Sequence, residues 1–314
     1  MYGILGSRVK DMRGGSDAAA WGDADRWGVI ERYELVHPSV PTAWDGRTVL
    51  HLSDFHIRRG VPWPGALERL ARWVDEHEVD LAVMTGDYGD LPRDAEAAAG
   101  MLTRLVGRIR SRHGVYGVFG NHDGAGFVRR VRGMPGVRWL MGETVEIGAG
   151  LSIIGASFPE DLVGAVWKPV GMGPSASVEG DVTPSRAPTR ISNSTSVFAS
   201  GPSLVEGGFR LGLVHDPTEV YSAAAVGVEV VLAGHTHGGQ VRWSARVTPH
   251  TSCDLPSGFA SGMYALGGTV LCVSRGMGEA VARIRVRCPR QAGVYVLRRG
   301  ELAVGDRLRV VRHW

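Results

Sequence analysis

Apolar residues fall into short, separated runs along the chain, and the spacing inside each run assigns its element. Residues 32–40 (RYELVHPSV) alternate apolar and polar positions, the period of a half-buried strand. Residues 48–52 (TVLHL) form a short apolar run that predicts a strand ending at Ser53-Asp54. Residues 64–78 carry Leu67, Leu70, Ala71 and Val74 at helical spacing, with Pro64 near the start, and predict an amphipathic helix. A buried strand is predicted at 80–85, before Gly86-Asp87, and a second helix at 95–112, with Leu102, Leu105, Val106 and Ile109 on one face. Further strands are predicted at 115–119, before Gly120-Asn121-His122-Asp123, and at 151–155. Residues 209–214 predict a strand stopping at His215, 217–226 a helix, and 228–232 a strand leading to Gly234-His235-Thr236-His237. The tail, 241–312, holds three β-rich runs, TVLCVS, RIRVRC and GVYVLRR. Strands alternating with helices predict an α/β fold.

Two stretches break the pattern. Residues 164–207 are rich in Gly, Pro, Ser and Thr without any period, which predicts a disordered insertion. Residues 1–30 are Gly/Asp/Ala-rich and aperiodic and predict a loosely ordered N-terminal extension, leaving 31–314 as one domain. With 44% hydrophobic and 21% charged residues the chain has the composition of a globular protein. No run approaches the roughly 18 apolar residues of a membrane span. The opening residues lack the apolar region of a secretory signal, and three cysteines (Cys253, Cys272, Cys288) cannot all pair. A cytoplasmic location is the expectation. The net charge of +3 is too small to indicate nucleic acid. All basic residues except Lys10 and Lys168 are arginine, whose planar fork suits phosphate.

The chemistry lies at the strand ends. Five predicted strands stop at metal-ligand residue types: Asp54 with His56, Asp87, Asn121 with His122, His215, and His235 with His237. In open α/β sheets, loops at the carboxyl ends of strands converge on one crevice. Each motif alone is weak, since Gly-Asp commonly marks a turn and Asn-His-Asp an Asx-turn or cap. Their joint, ordered occurrence points to a site. The motifs offer carboxylates, an amide and imidazoles but no thiolate, which suits Mn²⁺, Fe or Zn²⁺ and argues against a structural zinc site. They exceed what one ion uses, so two divalent ions sharing a carboxylate are inferred. Such a pair attracts anions and can clamp both oxygens of a phosphoryl displacement.

These blocks, SDFH (53–56), GD (86–87), GNHD (120–123), LVHDP (213–217) and GHTHGGQ (234–240), resemble the signature of the calcineurin-like metallophosphoesterases, over roughly residues 48–300. The resemblance implies a two-sheet β-sandwich flanked by helices. It implies one ion, Mn²⁺ foremost, on Asp54, His56, Asp87 and His237, and a second on Asp87, Asn121, His215 and His235. His122 then stands beside the scissile phosphate, Asp123 orients its imidazole, and a metal-bridging hydroxide is the nucleophile. VSRGMG (273–278), after GHTHGGQ, resembles the branch of membrane-associated phosphodiesterases, some of which split UDP-2,3-diacylglucosamine in lipid A synthesis. Residues 57–60 (IRRG) depart from that branch, which has a small apolar residue and Gly there, and so does the long insertion.

The leading expectation is a metal-dependent phosphodiesterase or pyrophosphatase, with Arg58 and Arg275 as candidate substrate contacts. The alternatives are a nuclease or cyclic-nucleotide phosphodiesterase, and a non-catalytic scaffold on the same fold. A nuclease calls for a basic track interleaved with aromatics, and the chain has only the small cluster Arg129-Arg130-Val131-Arg132, so no nucleic-acid partner is expected. A scaffold would have lost ligands or His122. Arg58, Arg59 and Trp63, next to the first motif, suit the edge of an anionic membrane, so peripheral contact at its inner face is expected, unless Trp63 packs into the core.

Overall fold

The computed structural model describes residues 29–157, 208–244, 247–281, 283–302 and 309–312. The expected insertion at 164–207 and residues 1–28 of the expected extension lie outside the described residues. The first half of the chain runs β1 (Ile30–His37), β2 (Thr48–Leu52), α1 (Gly65–Glu76), β3 (Glu78–Val79), β4 (Leu81–Thr85), α2 (Ala95–Val106), β5 (Arg110–Ser111), β6 (Val115–Val118), α3 (Ala125–Val131), β7 (Arg138–Trp139), β8 (Glu143–Gly148) and β9 (Leu151–Ala156). The second half runs β10 (Phe209–Val214), α4 (Val220–Ala225), β11 (Val230–Ala233), β12 (Gly262–Leu266), β13 (Thr269–Val273), β14 (Ala292–Arg299) and β15 (Arg309–Arg312).

Two large sheets result. One has the order β1-β14-β2-β4-β6-β7, the other β15-β12-β13-β11-β10-β9-β8. The period of two along each strand decides which layer a side chain enters. On β4, Leu81 and Val83 face the second sheet while Ala82 and Met84 face the helices. On β11, Val230 and Leu232 point between the sheets and Val231 and Ala233 point outward, toward α4. Helices α1, α2 and α3 cover the first sheet with Leu67, Leu70, Leu102, Leu105, Phe127 and Val128. Val220 and Ala223 of α4 cover the second. The molecule is therefore a helix–sheet–sheet–helix sandwich, the α/β two-sheet architecture expected above.

The chain positions its loops through strand direction. β2, β4 and β6 run parallel, as do β9, β10 and β11, so their carboxyl ends emerge on common edges. Several expectations need correction. The second helix stops at Val106, because Gly107 caps it and Arg110-Ser111 pairs with β3 instead of continuing to residue 112. Residues 217–226 form a 3₁₀ turn, Pro217–Glu219, and then the short α4, with Asp216 accepting from the Thr218 N–H at 2.8 Å. Residues 283–288 (RIRVRC) make no strand; Val286 only bridges Val241, and Arg285 turns its guanidinium inside.

Leu211 of β10 is buried between the sheets, away from the loops. Leu211→Ala is expected to cost about 2–5 kcal/mol of stability by leaving a cavity. Denaturant unfolding checks the cost, and metal stoichiometry in the folded variant should equal that of the wild type.

Candidate metal centre

Loop geometry at the sheet edge is set by backbone conformations that side chains rarely adopt. Asp54, His56, Asp87, His235 and His237 all have positive φ, between 42° and 70°. Non-glycine residues held there cost of order 1–3 kcal/mol each and cluster at functional sites. Close backbone approach fixes them. A Cβ on Gly120 would stand 2.2 Å from Asp87 Oδ1, and one on Gly234 would stand 2.4 Å from Asp54 Oδ2 and 2.0 Å from Ser53 Oγ. Glycines in GNHD and GHTH therefore let ligand loops from the two sheets interlock.

The interlocking is polar. The Asp54 N–H donates to the Gly86 carbonyl at 2.9 Å and the His56 N–H to that of Asp87 at 3.1 Å, tying the loop after β2 to the loop after β4. The His235 N–H, from the second sheet, donates to Asp54 Oδ1 at 3.0 Å. The His122 N–H donates to Asp87 Oδ1 at 2.9 Å.

Asp54, His56, Asp87 and His237 bring one ligand atom each to within 4.8 Å of one another, and Asp87, His215 and His235 form a second such group. Asp87 belongs to both, the bridging position that the resemblance implies. Asn121 follows Gly120 in the loop after β6 and is exposed. The inner nitrogens converge: His56 Nε2 lies 3.0 Å from His237 Nε2, His235 Nδ1 lies 3.2 Å from His215 Nε2, and Asp87 Oδ2 lies 3.4 Å from His56 Nε2 and 3.1 Å from His215 Nε2. Their other ring atoms are engaged, His56 Nδ1 with Asp90 Oδ1 at 3.1 Å and His215 Nδ1 with the Thr85 carbonyl at 2.7 Å. Outer partners of this kind orient metal-ligating imidazoles. Converging imidazole nitrogens, two buried carboxylates and no thiolate fit divalent cations. Beneath them, His51 Nε2 lies 2.8 Å from the Thr85 hydroxyl, which donates to Ser53 Oγ at 2.8 Å. Burial pushes the His51 imidazole down to about 3, so it stays neutral.

Three site expectations are corrected. The Asp123 carboxylate does not meet the His122 imidazole; it accepts from the backbone N–H groups of Asp87, Tyr88 and Gly120 at 2.7, 2.9 and 2.8 Å and so braces the loops. Burial, with Asp87 nearby, raises Asp123 to about 7. His122 Nδ1 instead meets the Asp90 carbonyl at 2.7 Å. Arg275 is a structural residue, 1% exposed, its guanidinium spent on Glu31 and on the Pro289 carbonyl. Trp63 packs against the helix-side core beneath the Arg104 guanidinium, 4.5 Å from its ring centroid, and so is no interfacial anchor. Arg58 borders the site, donating to Asp90 Oδ2 at 2.7 Å.

Two residues escaped the sequence reading. Asp90 joins His56, His122 and Arg58, and nothing in GDYGD separates it from a turn aspartate. Arg285 is buried and donates to the carbonyls of Arg275 at 2.7 Å and His237 at 3.3 Å, inside a run that reads as a strand.

The buried charges set a pH dependence. For His56, burial opposes the charge, but Asp87, Asp90 and Asp54 outweigh it and raise the imidazole to about 9. His215 is raised to about 10 in the same way, with burial opposing and Asp87 and Asp54 prevailing. Both are therefore charged near neutral pH in the metal-free chain, and a metal must displace those protons. Loading at pH 7 is expected to release about two protons per chain, measurable by titration in weak buffer. Because both folded values lie above the ordinary 6.5, their stabilisation of the metal-free fold is complete below 6.5 and is lost as pH rises through about 9 and 10. Thermal melts in chelator across that window check the sign.

Residues 47–164 match the model of the calcineurin-like phosphoesterase family. The chain is 30% identical over 201 residues to the uncharacterized metallophosphoesterase YkoQ of Bacillus subtilis, a match spanning 62% of each chain. It is 25% identical over 316 residues to the uncharacterized metallophosphoesterase YkuE of the same organism, spanning 95% of each. Among solved structures, the phosphopantetheinyl hydrolase of Mycobacterium tuberculosis aligns with a TM-score of 0.41 and 14% identity, over 74% of this chain and 91% of that one. The match is thus to the calcineurin-like phosphoesterase family over residues 47–164, and the relatives that the chain resembles are named metallophosphoesterases.

Proposed function

We propose that the chain hydrolyses a phosphodiester or pyrophosphate bond with two divalent cations, Mn²⁺ foremost and otherwise Fe or Zn²⁺. The first would be held by Asp54, His56, Asp87 and His237, the second by Asp87, His215, His235 and Asn121. The observation that carries this reading is the pair of ligand groups sharing Asp87. When bound, the paired cations supply positive charge that draws the phosphoryl group in and polarises it. His122 supplies the proton chemistry. Its Nδ1 donates to the Asp90 carbonyl, which leaves Nε2 to take up a proton and pass it to the leaving oxygen. Asp90 holds both this imidazole and that of His56, so acid and ligand keep a fixed separation.

Arg129 and Arg130 lie on the exposed face of α3, a solvated helix face that gives a nuclease reading no support. UDP-2,3-diacylglucosamine belongs in the substrate panel as the compound the resemblance implies, beside other pyrophosphates and simple diesters. Asp87→Ala is expected to empty both metal positions. His122→Ala is expected to keep two metals per chain and lose about 10²–10⁴-fold in rate. Elemental analysis beside turnover checks both; loss of metal from His122→Ala would reassign that residue as a ligand.

The substrate is further proposed to be reached at an anionic lipid surface. Val61, Leu91, Val281 and Ile284 are exposed, Val281 by 94%, and lie within two residues of Arg59, Arg93 or Arg283. Apolar side chains interleaved with arginines suit such a surface, where each basic residue contributes about 1 kcal/mol. Wild type is expected to sediment with phosphatidylglycerol vesicles at low salt and Val281→Asp/Ile284→Asp to stay in the supernatant. Absence of wild-type binding would leave a substrate taken from solution.

A further inference from the structure

A cavity of about 370 Å³ opens beside the candidate metal centre, within the size range of small-molecule sites. Arg58, Arg59, Arg93 and Arg283 line it, with Val61 and Asp94. These arginines come from three parts of the chain: the turn after the first ligand motif, the 3₁₀ turn Pro92–Asp94, and the segment after the VSRGMG loop. Asp94 does not bind any of the guanidinium groups. It is buried, and its oxygens accept from the backbone N–H groups of Arg59 at 2.9 Å and Leu91 at 3.1 Å, which ties the first and second arginine-bearing loops together.

Most of this charge has no acidic partner among the described residues. Arg58 is paired with Asp90, but the side chains of Arg59, Arg93 and Arg283 meet no carboxylate among the described residues. A second cavity, of about 380 Å³, is different. Arg285, Arg287 and Arg290 line it, yet Arg290 is paired with Glu279, and Arg285 and Arg287 are spent on backbone carbonyls. Like charges brought together without an internal partner repel, and an anion placed among them removes the repulsion. Guanidinium forks suit phosphate in particular. One carboxylate separates the cavity from the metal ligands: Asp90 holds Arg58 at 2.7 Å and His56 at 3.1 Å.

We propose that the cavity lined by Arg59, Arg93 and Arg283 binds a second phosphate group of the substrate while the first sits at the metal centre. This rests on the hydrolase reading above and narrows it to substrates that carry two phosphate groups, or one beside the scissile bond on a lipid headgroup. Arg58 forms the wall between the two positions.

The test uses the full chain, in chelator and after loading with Mn²⁺. Inorganic pyrophosphate and dihexanoyl phosphatidate are titrated calorimetrically into wild type, Arg59→Ala/Arg93→Ala/Arg283→Ala, and the control Arg129→Ala/Arg130→Ala. In chelator the triple variant should bind at least about tenfold more weakly than wild type, and the control within about twofold of it. Arginine-dependent binding of pyrophosphate points to a soluble source of the second phosphate, and of phosphatidate to a lipid one. Binding of neither probe, equal binding by the triple variant, or an equal loss in the control overturns the proposal. In the loaded enzyme, kcat/KM for a nucleoside diphosphate sugar relative to bis(p-nitrophenyl) phosphate should fall about tenfold in the triple variant, through KM. If loaded wild type turns over neither compound, the hydrolase reading fails for these substrates, while the titrations in chelator still decide the cavity.

Discussion

The Asp87 carboxylate, 1% exposed, is the group around which the structure is arranged. A buried carboxylate must be hydrogen-bonded and balanced by positive charge. Here Oδ1 accepts from the His122 N–H, and Oδ2 lies 3.1 Å from His215 Nε2 and 3.4 Å from His56 Nε2. The two imidazoles come from different sheets, so satisfying one charge fixes the sheets against each other. The same requirement makes the site a receptor for cations, which can take the place of the imidazole protons.

The surrounding backbone is shaped to allow this. Left-handed conformations at five of the candidate ligand positions turn the chain sharply just past apolar strands. The inter-sheet core holds those strands rigidly, with Val83, Leu213 and Leu232 fully or almost fully buried. Hydrogen bonds among the loops, and Asp123 on three backbone amides, keep the turns from relaxing. Strain at the edge is thus held by packing in the middle.

Electrostatics divide the site into two zones. The interior is acidic and imidazole-rich and is matched to cations. The mouth carries Arg58, paired with Asp90, and Arg59, Arg93 and Arg283, which meet no carboxylate among the described residues. Asp90 lies on the boundary, and the charges of His56 and Arg58 hold its carboxyl below the usual range. Through its carboxylate it touches His56 and Arg58, and through its carbonyl His122, which makes it the structural link between the candidate metal centre and the arginine-lined mouth.

Much of this was legible in the sequence because strand ends carry their chemistry locally. Asp54, His56, Asp87, His122, His215, His235 and His237 each follow an apolar run that became a strand, and the ordered motifs pointed to one shared site, while their division between two ion positions came from the family resemblance. The pairing of strands was not legible. β2, β4, β10 and β11 are buried on both faces, so their side chains are almost uniformly apolar and periodicity is silent about which face meets which layer. Nor was the role of an aspartate or arginine visible. Asp123 and Asp90 lie in similar Gly-Asn-His-Asp and Gly-Asp turns, yet Asp123 braces backbone amides while Asp90 orients imidazoles. Arg275 and Arg285 lie in loops like those of Arg59 and Arg283, yet the first pair is buried and the second exposed. Composition determined that such groups exist near the site. Only the tertiary structure decided which are enclosed, since a charged side chain enters the interior only where another part of the chain, distant in sequence, brings the partner that compensates it.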